Sequence, residues 1–366
     1  MSWIYSRKHL LWIVPLLILD GVILLRLARR PGGRAAPPAA AAPAAARASP
    51  WKTFAYPTDQ RALLDPDAPT AGVFQPTASG KPDSALFGSV RTAAGNGGLR
   101  ASFHEGVDIA AMKRDRRGAP LDEVRAAADG KVGYVNRVRG NSNYGLYVVL
   151  LHDDAAGEAY TLYAHLARVA PHVRPGHRVR AGDVIGVMGN TSSSPIPVER
   201  AHLHFEVGLM CNARFAAWYR AKKLKPFHDR FHGWNFLGVN PLEFLAAQRA
   251  NPDLGFHGFL RSETPSFEIL LPARRLPDFF LRHPALWEGS AYGGGPVLLA
   301  CAENGLPLFG RNATEEERRL LGSKRALVKT VDELRLGRNG CRIVVAGRDG
   351  WTLGAGGERW AEILLF

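Results

Sequence analysis

Residues 202–206 read His-Leu-His-Phe-Glu, and this short segment decides the fold of the chain around it. Polar and apolar residues alternate along it, which is typical of a β-strand with one buried face. Successive side chains of a strand point to opposite faces, so His202 and His204 point one way while Leu203 and Phe205 point the other. The segment therefore predicts a strand that offers two imidazoles to a groove and two apolar side chains to a core.

Two further histidine motifs precede this strand. Residues 104–108 read His-Glu-Gly-Val-Asp, and residues 163–166 read Tyr-Ala-His-Leu. His104 and Asp108 are four residues apart, which puts both side chains on one face of an extended or a helical segment. Gly106 between them lets the backbone bend around a small ion. The pair is therefore a candidate metal chelate.

A catalytic zinc ion is bound by three protein ligands, commonly imidazole nitrogens and carboxylate oxygens, and keeps one position for water. His104, Asp108 and one member of the His-x-His segment meet this requirement. The spacing alone leaves open whether His202 or His204 is the third ligand. Any single motif is explained equally well by a structural histidine, but three motifs in this order predict a zinc peptidase site.

The segment from Phe87 to Leu245 resembles the lysostaphin-type (LytM-type) zinc endopeptidases, which cut peptide cross-links in bacterial cell walls. That family has a His-x-x-x-Asp, a Tyr-x-His-Leu and a closing His-Leu-His-Phe-Glu, and all three are present here. The resemblance implies a mainly β fold, in which an antiparallel, barrel-sandwich-like sheet forms an open groove over Zn²⁺. It implies five site residues: the zinc ligands His104, Asp108 and His204, and the catalytic pair His165 and His202.

The resemblance also implies a mechanism. Zinc supplies Lewis acidity at the scissile carbonyl and lowers the pKa of its bound water to about 7. One imidazole helps to take the water proton, and the other stabilises the oxyanion or protonates the leaving amine. The sequence does not assign His165 and His202 to these two steps.

Two segments depart from the family pattern. The family usually has a Gly-rich turn directly before His-Leu-His, whereas residues 191–201 form a longer loop with two prolines, which we expect to border the groove. Residues 210–238 form an insertion that is rich in aromatic and basic residues. We interpret this insertion as a surface hairpin or helix with solvated charges, and the alternative is a substrate-binding lip.

The length of 366 residues is sufficient for two domains. The sequence predicts a peptidase domain at residues 72–250 and a smaller β-rich C-terminal domain, with one or two helices, at residues 251–366. The net charge is +14, of which six units belong to residues 1–50. No basic-aromatic motif for RNA or DNA accompanies the remainder, so we expect no nucleic-acid partner.

The first 30 residues predict a signal or anchor segment. Leu10–Leu25 is a mostly apolar run of sixteen residues, which is short for a spanning helix but sufficient for a signal peptide or a tilted anchor. More basic residues follow the run than precede it, which opposes export. We nevertheless expect export to the periplasm or cell envelope, because a wall-cutting domain has its substrate there. Residues 31–71 are expected to form an Ala/Pro-rich linker.

The C-terminal region carries no recognisable chemistry, and we expect it to bind an envelope partner. Predicted strands cover residues 266–271, 296–301, 341–346 and 361–366. Thr314 and Glu317 form a Thr-x-x-Glu capping box at the start of a helix that ends before Gly322. Cys301 stands at the end of one strand-like segment, and Cys341 stands at the start of another. The two could therefore form a disulfide across a sheet.

Two alternative functions are a regulator of other wall hydrolases and a lipoyl- or biotinyl-type carrier domain. Family members that lose zinc ligands act as regulators of other wall hydrolases, but this chain retains all five site residues. Residues 179–191 also resemble the hairpins of lipoyl and biotinyl carrier domains. Such a domain needs a modifiable lysine, and no lysine lies between Lys131 and Lys222. The sequence therefore favours an active peptidase, and the anchor and tether favour a bond between D-alanine and a diamino acid over a glycyl-glycine bond.

Overall fold

The computed structural model describes residues 49–89, 91–92, 99–100, 103–154, 157–338 and 343–366. The described residues belong to one compact unit. The predicted leader and Cys341 lie outside the described residues, so the signal or anchor segment and the disulfide remain predictions. In the described ranges, no helix is both long and apolar enough to cross a membrane.

Twelve strands of the described residues lie before residue 240. They are β1 (Arg91–Thr92), β2 (Leu99–Arg100), β3 (Val107–Ala110), β4 (Glu123–Arg125), β5 (Gly130–Asn136), β6 (Leu146–Asp154), β7 (Gly157–Leu166), β8 (Arg168–Val169), β9 (Arg178–Val179), β10 (Val184–Val187), β11 (His202–Met210) and β12 (Phe236–Val239). The later strands are β13 (Phe267–Leu271), β14 (Val297–Cys301), β15 (Pro307–Asn312), β16 (Leu327–Val331), β17 (Val344–Gly347) and β18 (Gly350–Leu353).

Helices connect these strands and cover their edges. The α-helices are α1 (Phe215–Ala221), α2 (Pro241–Ala250), α3 (Gly255–Ser262), α4 (Asp278–Arg282), α5 (Glu315–Leu321), α6 (Glu333–Arg338) and α7 (Ala355–Leu365). Single 3₁₀ turns occur at Arg61–Leu64, Pro82–Ala85, Val198–Arg200, Gly233–Asn235 and Pro284–Leu286.

A seven-stranded antiparallel sheet forms the frame of the peptidase region. Its order is β12-β11-β7-β6-β5-β9. The seventh strand, β3, pairs with residues 202–205 of β11, and β12 pairs with residues 207–210 of the same strand. A smaller sheet, β4-β10-β8, packs against it through the same apolar core. The predicted mainly β fold with an antiparallel sheet is confirmed.

The alternation predicted for β11 is confirmed. Leu203 and Phe205 are buried in the main core with Val107 and Tyr163. A second, smaller apolar cluster covers the other face of the sheet, where Phe231 from the insertion packs against β6 and β7. The sheet is therefore covered on both faces, and the histidines of β11 lie at the edge of this second cluster.

Residues 51–71 do not form a free linker. Trp51 is fully buried, and its ring contacts those of His152, Phe244 and Phe256 at centroid distances of 4.7, 5.0 and 6.1 Å. The linker prediction was wrong here because the Pro/Asp-rich composition conceals a few large apolar residues that pack into the core.

The C-terminal region contains a four-stranded antiparallel sheet, β15-β14-β13-β16, and the hairpin β17-β18. Its core is continuous with that of the peptidase region, since Phe244 of α2 packs on Phe256 of α3 with ring centroids 5.1 Å apart. The domain boundary at residue 250 therefore falls between two packed helices and remains a prediction.

Two C-terminal predictions were wrong. Residues 361–365 belong to helix α7, which Phe366 caps, and not to a strand. Gly357, Trp360, Ala361 and Leu364 are buried at helical spacing, together with Ile363. A short apolar run in the sequence does not distinguish such a helix from a strand. The described part of this region has five α-helices, α3 to α7, and not one or two. The sequence hides some of them because α4 and α6 have only five and six residues, less than two full turns.

The capping box of α5 is confirmed. Thr314 Oγ1 accepts a hydrogen bond from the backbone N–H of Glu317 at 3.2 Å, and a Glu317 carboxylate oxygen accepts one from the N–H of Thr314 at 2.8 Å. Gly322 ends the helix with a φ of 53°, a conformation that glycine adopts without strain. Glu317 also forms ion pairs with Arg311 and Lys329, so it serves structure and not metal binding.

We predict that Trp51→Ala lowers the free energy of unfolding by about 3–5 kcal/mol, because it removes a fully buried indole and leaves a cavity. The measurement is urea unfolding followed by circular dichroism. Leu281→Ala is the control, since that side chain is 65% exposed and its loss has little effect. A loss below about 1 kcal/mol for Trp51→Ala would show that residues 49–71 are dispensable to the fold.

Candidate active site

The register of β11 brings the predicted metal ligands together. His204 lies directly opposite Asp108 of β3 on one side and opposite Ala164 of β7 on the other. His165 follows Ala164 in the chain, so the Tyr-x-His-Leu motif reaches the same point of the sheet. Three motifs that are far apart in sequence thus converge because β11 pairs with both neighbours.

The three predicted ligands form a compact triangle of buried atoms. His104 Nε2 lies 3.0 Å from Asp108 Oδ1 and 3.0 Å from His204 Nδ1, and His204 Nδ1 lies 2.9 Å from Asp108 Oδ1. All three side chains are buried. Among the described residues, these are the ones whose donor atoms are grouped as a metal site would require.

The outer nitrogens of both imidazoles are held by hydrogen bonds. His104 Nδ1 lies 2.9 Å from the carbonyl oxygen of Leu86, and His204 Nε2 lies 2.8 Å from Glu206 Oε1. When these outer nitrogens donate, His104 Nε2 and His204 Nδ1 are left as acceptors. Ligating histidines in metal sites are commonly oriented in this way.

The donor set fits a small cation such as Zn²⁺. Two imidazole acceptors and a carboxylate oxygen point at one another, and three such lone pairs are stabilised only around a positive charge. Ligand atoms about 2.1 Å from an ion in tetrahedral geometry lie about 3.4 Å apart, close to the distances between these atoms. His104, Asp108 and His204 therefore could hold a metal ion.

The surroundings of Asp108 and His204 favour a negative charge on the carboxylate and a positive charge on the imidazole. Burial opposes ionisation of Asp108, but the neighbouring His104 and His202 hold its pKa well below the usual value. Burial also opposes protonation of His204, yet hydrogen bonds to Asp108 and Glu206 raise its pKa to about 9. A proton or a metal ion is thus strongly attracted to this point.

The predicted catalytic pair lies beside the triangle. His165 Nδ1 lies 2.9 Å from the Thr191 carbonyl oxygen, and His202 Nδ1 lies 2.7 Å from the Arg200 carbonyl oxygen. The two rings are 4.8 Å apart, and His202 Nε2 is 3.5 Å from Asp108 Oδ1. Both histidines therefore have one nitrogen anchored by the backbone, which orients the other nitrogen beside the candidate ligands.

The backbone at His165 is strained. Its φ is 59°, in the left-handed region that side chains other than glycine rarely adopt. Such a conformation costs about 1–3 kcal/mol and is commonly found at functional sites. The surrounding sheet holds it, because the N–H of His165 donates to the carbonyl of Tyr144 at 2.8 Å.

Three residues that support His204 have no role predicted from the sequence. Glu206 is fully buried and accepts hydrogen bonds from Tyr144 Oη at 2.8 Å and Tyr160 Oη at 3.0 Å. Its position two residues after His204 on a strand places it on the same face, and this alternation could have identified it. No local pattern links the tyrosines to Glu206.

A contact from the C-terminal region also reaches the site. Asn304 Nδ2 donates to Glu105 Oε2 at 2.7 Å and to the carbonyl oxygen of Gly238 at 2.8 Å. Burial and the nearby Glu206 raise the pKa of Glu105 to about 8. Because Glu105 adjoins His104, the C-terminal sheet helps to fix the segment that carries this candidate ligand.

The candidate site opens into a groove of about 1700 Å³. The loop at residues 191–201 borders it, as predicted, through Ser192–Ile196 and Arg200. The insertion lines the opposite part with Pro226, His228 and His232–Trp234, which favours the alternative of a lip over a purely solvated surface segment. The groove is also lined by residues 343, 345, 354–356, 359, 360 and 363 of the C-terminal region and by residues 76–79 and 141–144.

Comparisons with known proteins agree with the motifs. The sequence model of peptidase family M23 matches residues 102–214. The catalytic domain of the antimicrobial peptidase lysostaphin from Staphylococcus simulans is 23% identical, and the match covers 44% of this chain and 88% of that domain, with a TM-score of 0.27. A zinc-containing peptidase from Vibrio cholerae is 25% identical over 44% of this chain and 37% of its own, also with a TM-score of 0.27.

The three histidine motifs lie within the matched segment, in the family's order and on the expected antiparallel sheet. Their five site residues all line one groove. Residues 102–214 therefore match peptidase family M23, and the motifs within them are those of the lysostaphin-type peptidases.

Proposed function

We propose that this protein is a zinc-dependent endopeptidase that hydrolyses peptide cross-links of bacterial peptidoglycan. The observation that carries the proposal is the convergence of His104 Nε2, Asp108 Oδ1 and His204 Nδ1 within 3.0 Å, with two further histidines beside them. Three ligands and an adjacent pair of proton-transfer groups are what hydrolysis by a zinc peptidase requires.

Zinc in this site would polarise the scissile carbonyl and lower the pKa of a water molecule to about 7. His165 and His202 have their Nδ1 atoms held by backbone carbonyls, so each would use Nε2 to exchange protons. Burial and the neighbouring His202 and His204 lower the pKa of His165 well below its usual value, which keeps the ring neutral at pH 7.

The groove favours an extended peptide. The candidate ligands, the loop at residues 191–201 and the insertion all line it. A cross-link stretched between glycan strands has this shape. The proposal includes a bond between D-alanine and a diamino acid as the preferred substrate, and a place in the cell envelope, where the wall is found.

The experiment that tests the proposal is digestion of purified peptidoglycan by the full-length protein, with mass analysis of the released muropeptides. Conversion of dimers to monomers, abolished by a chelator, is the expected result, and the new ends identify the bond. Hydrolysis that continues in the chelator would refute zinc catalysis. Zinc bound at one equivalent without cleavage would favour a regulator of other hydrolases.

Substitutions separate the proposed ligands from the catalytic pair. We expect His104→Ala, Asp108→Ala and His204→Ala to lose both zinc and activity, because each removes one of three ligand atoms. His165→Ala and His202→Ala should both lose activity while keeping much of the zinc. Zinc content is measured by elemental analysis of the purified variants. Loss of zinc in His202→Ala but not in His204→Ala would reverse the assignment within the pair.

Glu206→Gln tests the support of His204. The substitution removes the carboxylate that lies 2.8 Å from His204 Nε2, and the loss of such a partner lowers metal affinity by about 10–100-fold. Zinc affinity is measured by competition with a chromophoric chelator, and circular dichroism verifies the fold. Glu199→Gln is the matched control, because Glu199 is exposed. Equal affinities for the two variants would exclude this role of Glu206.

A further inference from the structure

One corner of the groove combines a cation with aromatic rings. His232 and Trp234 belong to the insertion, and Arg359 lies in the second turn of α7. All three line the groove that contains the candidate metal ligands. Two segments with no assigned function, the insertion and the C-terminal helix, thus meet at this corner.

Arg359 stacks on Trp234. The guanidinium carbon lies 4.3 Å from the centroid of the indole, whose side chain is 40% exposed. Stacking orients the planar guanidinium and leaves its edge for hydrogen bonds. No carboxylate of the described residues lies within 4.0 Å of the Arg359 nitrogens, whereas Glu362 of the same helix pairs with Lys222. The guanidinium is therefore oriented, and its charge has no ion-pair partner in the described part of the chain.

His232 adds a neutral donor. Its Nδ1 accepts a hydrogen bond from the backbone N–H of Trp234 at 3.1 Å, so the ring proton is on Nε2. Burial, together with His228 and Arg359, lowers the pKa of His232 to about 4, so the ring is uncharged at neutral pH. Its Nε2–H has no partner among the described residues.

The carboxylates that line the groove are occupied elsewhere. Glu105 accepts from Asn304 and Gly238, and Glu206 accepts from Tyr144 and Tyr160. Asp108 belongs to the candidate metal site. The corner at Arg359 is thus positive, and an anionic group of a bound ligand would meet no opposing carboxylate from these residues.

We propose that Arg359, His232 and Trp234 form a subsite that binds a free carboxylate of the peptide substrate. The inference rests on the proposed function of the groove. The guanidinium edge pairs with the two carboxylate oxygens, and the indole covers the apolar atoms next to them. The C-terminal helix thereby selects substrates that carry a carboxylate near the scissile bond.

The test measures binding and needs no cleavage. The probe is an uncross-linked stem tetrapeptide, Ala-γ-Glu-diaminopimelate-Ala, in its free-acid form and with its carboxyl groups amidated. Isothermal titration with the full-length protein should show about tenfold tighter binding of the free acid, which is typical for one charge-assisted pair. Arg359→Gln should remove this difference, and Arg359→Lys should retain part of it.

Arg348→Gln is the matched control, because it removes the same charge from an exposed position outside the groove lining. Wild-type protein that binds both forms equally, or an Arg359→Gln variant with the wild-type preference, would overturn the subsite. Peptidoglycan digestion by the same preparations separates the two proposals. Cleavage by a protein that shows no preference for the free-acid peptide would support the peptidase and refute the subsite. A preference for the free acid without cleavage would support the subsite and refute the peptidase.

Discussion

The convergence of three acceptor atoms on one point is the constraint on which the rest of the site depends. His104, Asp108 and His204 meet because β11 pairs with β3 and β7 in one register. A slip of one residue would turn His204 toward the core and Leu203 toward the groove. The packing of Leu203 and Phe205 in the core therefore fixes the position of the ligand as firmly as any hydrogen bond.

The alternation of β11 was predictable from sequence because a strand has a period of two residues. The choice between His202 and His204 was not, since both lie on the same face and only the register with β3 places His204 opposite Asp108. The family resemblance supplied this choice. The two tyrosines on Glu206 could not be found either, because they come from β7 and the segment before β6, tens of residues away.

The errors in the prediction share a cause. Trp51 and helix α7 were assigned from composition and short apolar runs, and both are determined by packing against distant residues. Tertiary contacts override weak local preferences in such segments. The same contacts bring Asn304 to Glu105 and Arg359 to Trp234, so the regions flanking the peptidase domain are part of the groove and its support.

The hydrogen bond from His104 to the carbonyl of Leu86 has a further consequence. It joins a candidate ligand to the segment that begins with the buried Trp51, so an ion bound at the site also holds the N-terminal part of the fold. Binding linkage makes this quantitative: an ion present at 1,000 times its dissociation constant stabilises the native state by about 4 kcal/mol. Metal supply would then govern how long the protein survives proteolysis.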